Sequence, residues 1–111
     1  MLDQVEIFHG LSREELAALE ASSSSESYSK NTVVIQENEP ADALYVIESG
    51  RVKVYCSDKN GKEFIMNSLG VGDYFGELAL LDDSARSASV RTVEPCQFRI
   101  VKKEDFSKVL T

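Results

Sequence analysis

From Thr32 onward the apolar pattern of this chain changes to strand-length stretches, several of them with a period of two. Val52, Val54 and Cys56 alternate with Arg51, Lys53, Tyr55 and Ser57, as a strand with one buried and one solvated face requires. Val33-Val34-Ile35 reads as a short buried strand behind a turn at Asn31, a residue type that tolerates positive φ. Ala43 to Ile47 is apolar throughout, so both of its faces must be covered, as inside a sandwich. Ser49-Gly50 predicts a tight hairpin turn. Asp58-Lys59-Asn60-Gly61 predicts a second turn, leading into a strand over Glu63 to Leu69. Ala88 to Val93 continues the series, Glu94-Pro95 breaks it, and Cys96, Phe98 and Ile100 resume the alternation. Many short strands between turn signals specify a mainly β fold. The expected architecture is an antiparallel β-sandwich, and an eight-stranded jelly roll fits it.

Short helices flank this region. In Leu11-Ser12-Arg13-Glu14-Glu15-Leu16, Ser12 is the N-cap, Glu15 completes a capping box, and Leu11 can staple onto Leu16. The helix is predicted over Arg13 to Ala21, with Leu16 and Leu19 facing the core. Ser22 to Ser25 ends it and connects to a strand-compatible stretch from Glu26, and Lys103 begins a closing helix. Residues 1–111 thus read as one domain: a helical lead-in over 1–21, a jelly roll over 26–101, and a helix from 103.

The balance of 12 Lys and Arg against 19 Asp and Glu, a net charge of −7, argues against this chain gripping a nucleic-acid backbone by itself. The longest apolar run, Ala43 to Ile47, is far too short to span a bilayer. Residues 1–10 carry acids and no apolar signal core. The expected location is the cytoplasm, without membrane contact. Cys56 and Cys96 lack ligand-like spacing and read as buried free thiols. His9 reads as a cap or packing residue. Gly70-Val71-Gly72 and Gly76 have the wrong spacing for a dinucleotide fingerprint, and Asp58-Lys59-Asn60-Gly61 lacks the later acid of a calcium loop. No residues suit a catalytic triad, so neither enzymatic activity nor a metal or cofactor is expected.

One stretch carries chemistry. Phe75-Gly76-Glu77-Leu78-Ala79-Leu80-Leu81 is followed by Arg86-Ser87-Ala88-Ser89-Val90. Gly76, without a Cβ, lets the backbone approach a ligand closely. Leu78 to Leu81 suit one helical turn, whose first amides lack intrahelical partners and attract anions. Arg86 supplies a fixed positive charge and a planar fork of donors for phosphate oxygens. Glu77 is a poor neighbour for a bare phosphate but suits a ligand with hydroxyl donors, such as a ribose. The combination points to a sugar phosphate. The same pair also suits an ion bridge between Glu77 and Arg86 that caps a helical turn.

These blocks resemble the phosphate-binding cassette of cyclic-nucleotide-binding domains. Such domains occur in bacterial catabolite-activator-type regulators, regulatory subunits of cAMP-dependent kinase and cyclic-nucleotide-gated channels. The nine-residue step from Glu77 to Arg86 resembles the kinase and channel versions. The resemblance extends upstream through Asn38-Glu39-Pro40-Ala41-Asp42-Ala43-Leu44-Tyr45 and Glu48-Ser49-Gly50-Arg51-Val52. It implies the same jelly roll, with a cassette over residues 75–90, and a cyclic-nucleotide sensor. By resemblance, Arg86 and the backbone amides of Leu78 and Ala79 hold the cyclic phosphate, and Ser87 adds its hydroxyl or amide. Glu77 accepts the ribose 2′-OH with the Gly76 backbone alongside. Ala88 and Val90 pack under sugar and base, with Val52 and Val54 as further lining.

Ser87 stands where bacterial cAMP regulators also carry serine and several cGMP-accepting relatives carry threonine, so cAMP is the expected ligand and cGMP the alternative. Asn38 departs from the glycine of many relatives, and Ala85 from the proline of the kinase type. Relatives continue into a helix that caps the purine and, in bacterial regulators, forms the dimer and leads to a helix-turn-helix; Thr111 falls before both. The resemblance leaves open the effector domain of a Crp/Fnr-type transcription regulator, as a homodimer or with a C-terminal effector domain, and a stand-alone signal-transduction module. A scaffold that has lost nucleotide binding and works through protein contacts is the second expectation.

Overall fold

The computed structural model describes residues 8–39, 43–76 and 88–110. In chain order these form α1 (Arg13–Ser22), β1 (Ser24–Tyr28), β2 (Val33–Ile35), β3 (Ala43–Ser49), β4 (Val52–Ser57), β5 (Glu63–Leu69), β6 (Tyr74–Phe75), β7 (Ser89–Thr92), β8 (Cys96–Lys102) and α2 (Lys103–Leu110). The strands make two four-stranded sheets, ordered β1-β8-β3-β6 and β2-β7-β4-β5. Every pairing is antiparallel. The expected jelly roll is the fold. Of consecutive strands only β4 and β5 pair with each other, across a turn in which the Asp58 carboxylate accepts from the Asn60 and Lys62 amides, both at 2.9 Å.

That topology corrects the hairpin expected at Ser49-Gly50. β3 is buried at every position from Ala43 to Ile47 and already has β8 and β6 on its two sides. It offers β4 no free edge, so the chain turns a corner into the second sheet. Glu94-Pro95 makes a second corner between β7 and β8, and the two corners back onto each other. Val93 N–H donates to Arg51 O at 3.0 Å, and Cys96 Sγ lies 3.2 Å from the same carbonyl. Burial pushes the Cys96 thiol pKa up, and the contact with Arg51 partly offsets this.

Two apolar layers result. Between the sheets lie Ala43, Tyr45, Ile47, Val52, Phe75, Val90, Cys96 and Phe98. On the outer side of the first sheet, Phe8, Leu19, Leu44, Val46 and Val101 form a separate cluster with Leu11, Leu16 and Tyr74 packed against it. Strand alternation sends Leu44 and Val46 to the side opposite Tyr45 and Ile47. The apolar run of β3 therefore reflects helices on one face and a sheet on the other.

The capping box of α1 forms as its sequence requires. Ser12 Oγ accepts from Glu15 N–H at 3.1 Å, and Ser12 N–H donates to Glu15 Oε1 at 2.8 Å. Ser12→Ala is expected to cost about 1 kcal/mol and to lower Tm by roughly 3–6 °C; a thermal melt indistinguishable from wild type would remove the cap from the account. The helix ends at Ser22, and β1 begins at Ser24, before the Glu26 expected from sequence. Polar anchors put serines into that strand: Ser25 Oγ donates to Glu48 Oε1 and accepts from Gln97 Nε2, each at 2.7 Å.

Cys56 departs from the expected burial. It is half-buried, and its Sγ lies 3.1 Å from Met66 Sδ. β5 is an edge strand with Phe64, Ile65 and Met66 exposed. Asn67 faces Val54 while Ile65 faces Tyr55, which leaves Met66 as an unpaired bulge residue of the kind that blunts an edge against further pairing. Among the described residues no helix is long and apolar enough to cross a membrane.

Candidate nucleotide site

The cassette leaves one sheet and returns to the other. Its entry is β6, where Phe75 pairs with Tyr45 and Tyr74 with Val46. Phe75 is buried, stacked on Tyr45 at 5.0 Å between centroids and edge-on to Phe98 at 5.5 Å. Three rings packed this way hold the point of departure by area and by ring geometry together. Gly76 follows with φ +95°, a conformation that a Cβ disfavours.

The return is β7. Ala88 is half-buried, and Ser89 and Val90 enter the sheet opposite Tyr55 and Val54. Of the expected lining, Val54 and Ala88 keep accessible surface, whereas Val52 and Val90 are 0% and 2% exposed and belong to the core between the sheets. Glu77, Leu78, Ala79, Arg86 and Ser87 lie outside the described residues, as does the helical turn expected over Leu78 to Leu81.

Arg91 is the cation of β7 within the described part, and it is engaged elsewhere. It pairs with Glu63 at 2.9 Å, donates to Tyr55 Oη at 3.1 Å, and stands over the Tyr55 ring at 4.8 Å. The hydrogen bond to Glu63 is the first cause that raises its pKa above the ordinary arginine value. Strand alternation places it opposite to Val90, on the outer face of the second sheet. It does not stand in for Arg86.

Two buried hydroxyls of β7 were not legible as anchors in the sequence, Ser89 beside the cassette and Thr92 at the far end of the strand. Ser89 is 5% exposed, and its Oγ accepts from Glu37 N–H at 2.9 Å. Thr92 is 0% exposed; its Oγ1 accepts from Thr32 N–H at 2.8 Å and donates to Ser29 O at 2.7 Å. Their signal is a hydroxyl inside an otherwise apolar strand, which must find a partner to be buried. Asn38 has φ +74°, a conformation that asparagine adopts more readily than most residues with a side chain.

A family model for the cyclic nucleotide-binding domain matches residues 25–111. The chain belongs to the cyclic nucleotide-binding domain family. A cAMP-dependent protein kinase regulatory subunit from Debaryomyces hansenii is 36% identical over 109 residues, covering 98% of this chain and 23% of that protein. The Cyclic AMP receptor protein of Thermus thermophilus is 32% identical over 100 residues, covering 90% of this chain and 46% of its own length. The solved structure of cAMP-bound PfPKA-R (141–441) superposes with a TM-score of 0.92 at 30% identity, over 97% of this chain and 38% of that one. The chain thus spans less than half the length of these family members.

Proposed function

We propose that this domain is a regulatory sensor that binds cAMP and performs no catalysis. The observation that carries the reading is the family match over residues 25–111, which includes the cassette with both Glu77 and Arg86 in place. In this reading Arg86, the amides of Leu78 and Ala79, and Ser87 hold the cyclic phosphate. Glu77 takes the ribose 2′-OH beside Gly76, and a deoxy analogue would leave that carboxylate unpaired at a cost. Val54 and Ala88 meet the sugar and base over the core residues Val52 and Val90.

Binding at the cassette shifts α2, which follows β8 without a linker, between two positions, and that shift is the output. The domain works in the cytoplasm as part of a transcription regulator of the Crp/Fnr type or as a free-standing module. Its charge of −7 leaves specific contact with double-stranded DNA to other chain segments or partners.

Thermal melting with and without millimolar cAMP tests the reading. A ligand at 100 times its Kd contributes about 2.7 kcal/mol, so Tm is expected to rise by roughly 5 °C or more. Linear 5′-AMP should give a much smaller rise. No rise with cAMP or cGMP would favour the scaffold that has lost nucleotide binding.

A further inference from the structure

We infer that Ser89 is a positioning residue for the nucleotide site, tying the closing end of the cassette to the turn at Gln36–Glu39. The inference rests on the cAMP-binding reading and assigns a role that the cassette motif does not. Val90 points into the core, so alternation sends the Ser89 side chain to the opposite face of β7, away from the expected sugar and base contacts. Ser89 is nonetheless buried, at 5% exposure, because the turn lies over it.

That turn has a need which Ser89 meets. Glu39 N–H donates to Gln36 O at 3.1 Å, and Asn38 has φ +74°, so Glu37 occupies the second position of a β-turn. The amide at that position has no partner within the turn, and Ser89 Oγ accepts it at 2.9 Å. Glu37 then reaches onward, its Oε1 accepting from Ser57 N–H at 3.3 Å at the end of β4. The circuit closes through the sheet, where Ser89 faces Tyr55 across β4 and β7. The start of β7 is therefore held by its ladder and by the turn together. Arg86 lies three residues earlier in the chain, so freedom gained at Ser89 passes directly into the proposed phosphate clamp. Sites of this kind need their support fixed to a fraction of an ångström.

Thr92 supplies the internal control. It carries a comparable buried hydroxyl anchor, to Thr32 and Ser29, at the end of β7 remote from the cassette. The experiment is equilibrium binding of cAMP and cGMP to the full chain, well below the Tm of each variant. Ser89→Ala is expected to weaken both nucleotides by roughly two- to tenfold, with their ratio unchanged, and Ser89→Thr to restore most of the loss. Thr92→Val is expected to lower Tm while affinity stays within about twofold. Wild-type affinity in Ser89→Ala, whatever its Tm, would overturn the inference. A changed cAMP to cGMP ratio would overturn it as well, since it would mean direct contact with the base. If Ser89→Ala does not fold, Ser89→Cys, a weaker acceptor of similar size, carries the same comparison: a loss of affinity for both nucleotides at an unchanged ratio supports the inference, and unaltered affinity overturns it. Failure of the wild type to bind either nucleotide would refute the sensor reading itself, and this inference with it.

Discussion

Arg86→Ala is expected to weaken cAMP binding by roughly thirty- to several-thousand-fold. The range follows from the cost of truncating one member of a buried charge pair, about 2–5 kcal/mol, at 1.4 kcal/mol per decade. The reason is electrostatic. With a net charge of −7, the chain repels an anion unless a specific cation receives it, and Arg91 is committed to Glu63 and Tyr55. A cyclic phosphodiester carries one negative charge, which one desolvated guanidinium neutralises. Arg86→Lys should recover only part of the affinity, because an ammonium cannot reproduce the planar two-point fork. Competition binding against a labelled cyclic nucleotide measures all three proteins. If Arg86→Ala merely melts earlier while keeping wild-type affinity, the residue is an ion-pair partner of Glu77 and not the clamp.

Gly50→Ala is expected to destabilise the fold by roughly 2–5 kcal/mol, combining backbone strain with overpacking. Gly50 has φ +92°, and a Cβ there would stand 2.5 Å from Pro95 O, 2.6 Å from Cys96 Sγ and 2.8 Å from Cys96 Cα. Two of these are backbone atoms of the opposing corner, so relief requires the corners to separate, and with them the junction between the sheets. Gly61→Ala is the matched comparison: φ is +81°, but nothing lies within 4 Å of the added carbon. It should cost only the strain, about 1–2 kcal/mol. Urea denaturation separates the two, and equal losses would show that steric contact at the corner contributes nothing.

The strands were legible because period two survives wherever one face is buried, as in Val52, Val54 and Cys96, Phe98, Ile100. Which strands pair was not. A glycine at positive φ serves a hairpin and an inter-sheet corner equally, and the choice at Gly50 was made by β3 having partners on both sides. The start of β1 was hidden because Ser24 and Ser25 are held by ladder bonds, and Ser25 by hydroxyl contacts as well, instead of by apolar area. β6 was hidden by its length, two residues fixed by the Tyr45 and Phe98 rings. The second apolar layer was implicit in Ala43 to Ile47, but only α1 lying on Leu44 and Val46 reveals what covers the outer face.

The site divides in the same way. Groups that would act on the ligand by charge or backbone, Gly76, Glu77 and Arg86, form a motif with fixed spacing and are visible in the sequence. Ser89 acts through a turn some fifty residues away, 52 positions from Glu37, and no local pattern announces such a partner. Val52 and Val90 look like lining in sequence because alternation puts them on the inner face. Inner-face residues deep in the sandwich belong to the core, and of the four expected lining residues Val54 and Ala88 keep accessible surface.

Isothermal titration of the wild-type chain with cAMP tests the central claim most directly. The account predicts a saturable isotherm with one nucleotide bound per chain, and a loss of affinity of roughly tenfold or more for 2′-deoxy-cAMP, whose missing hydroxyl leaves Glu77 unpaired. A titration to millimolar cAMP without saturable heat at two temperatures, so that a zero enthalpy cannot mask binding, would contradict it and leave the jelly roll as a scaffold for protein contacts.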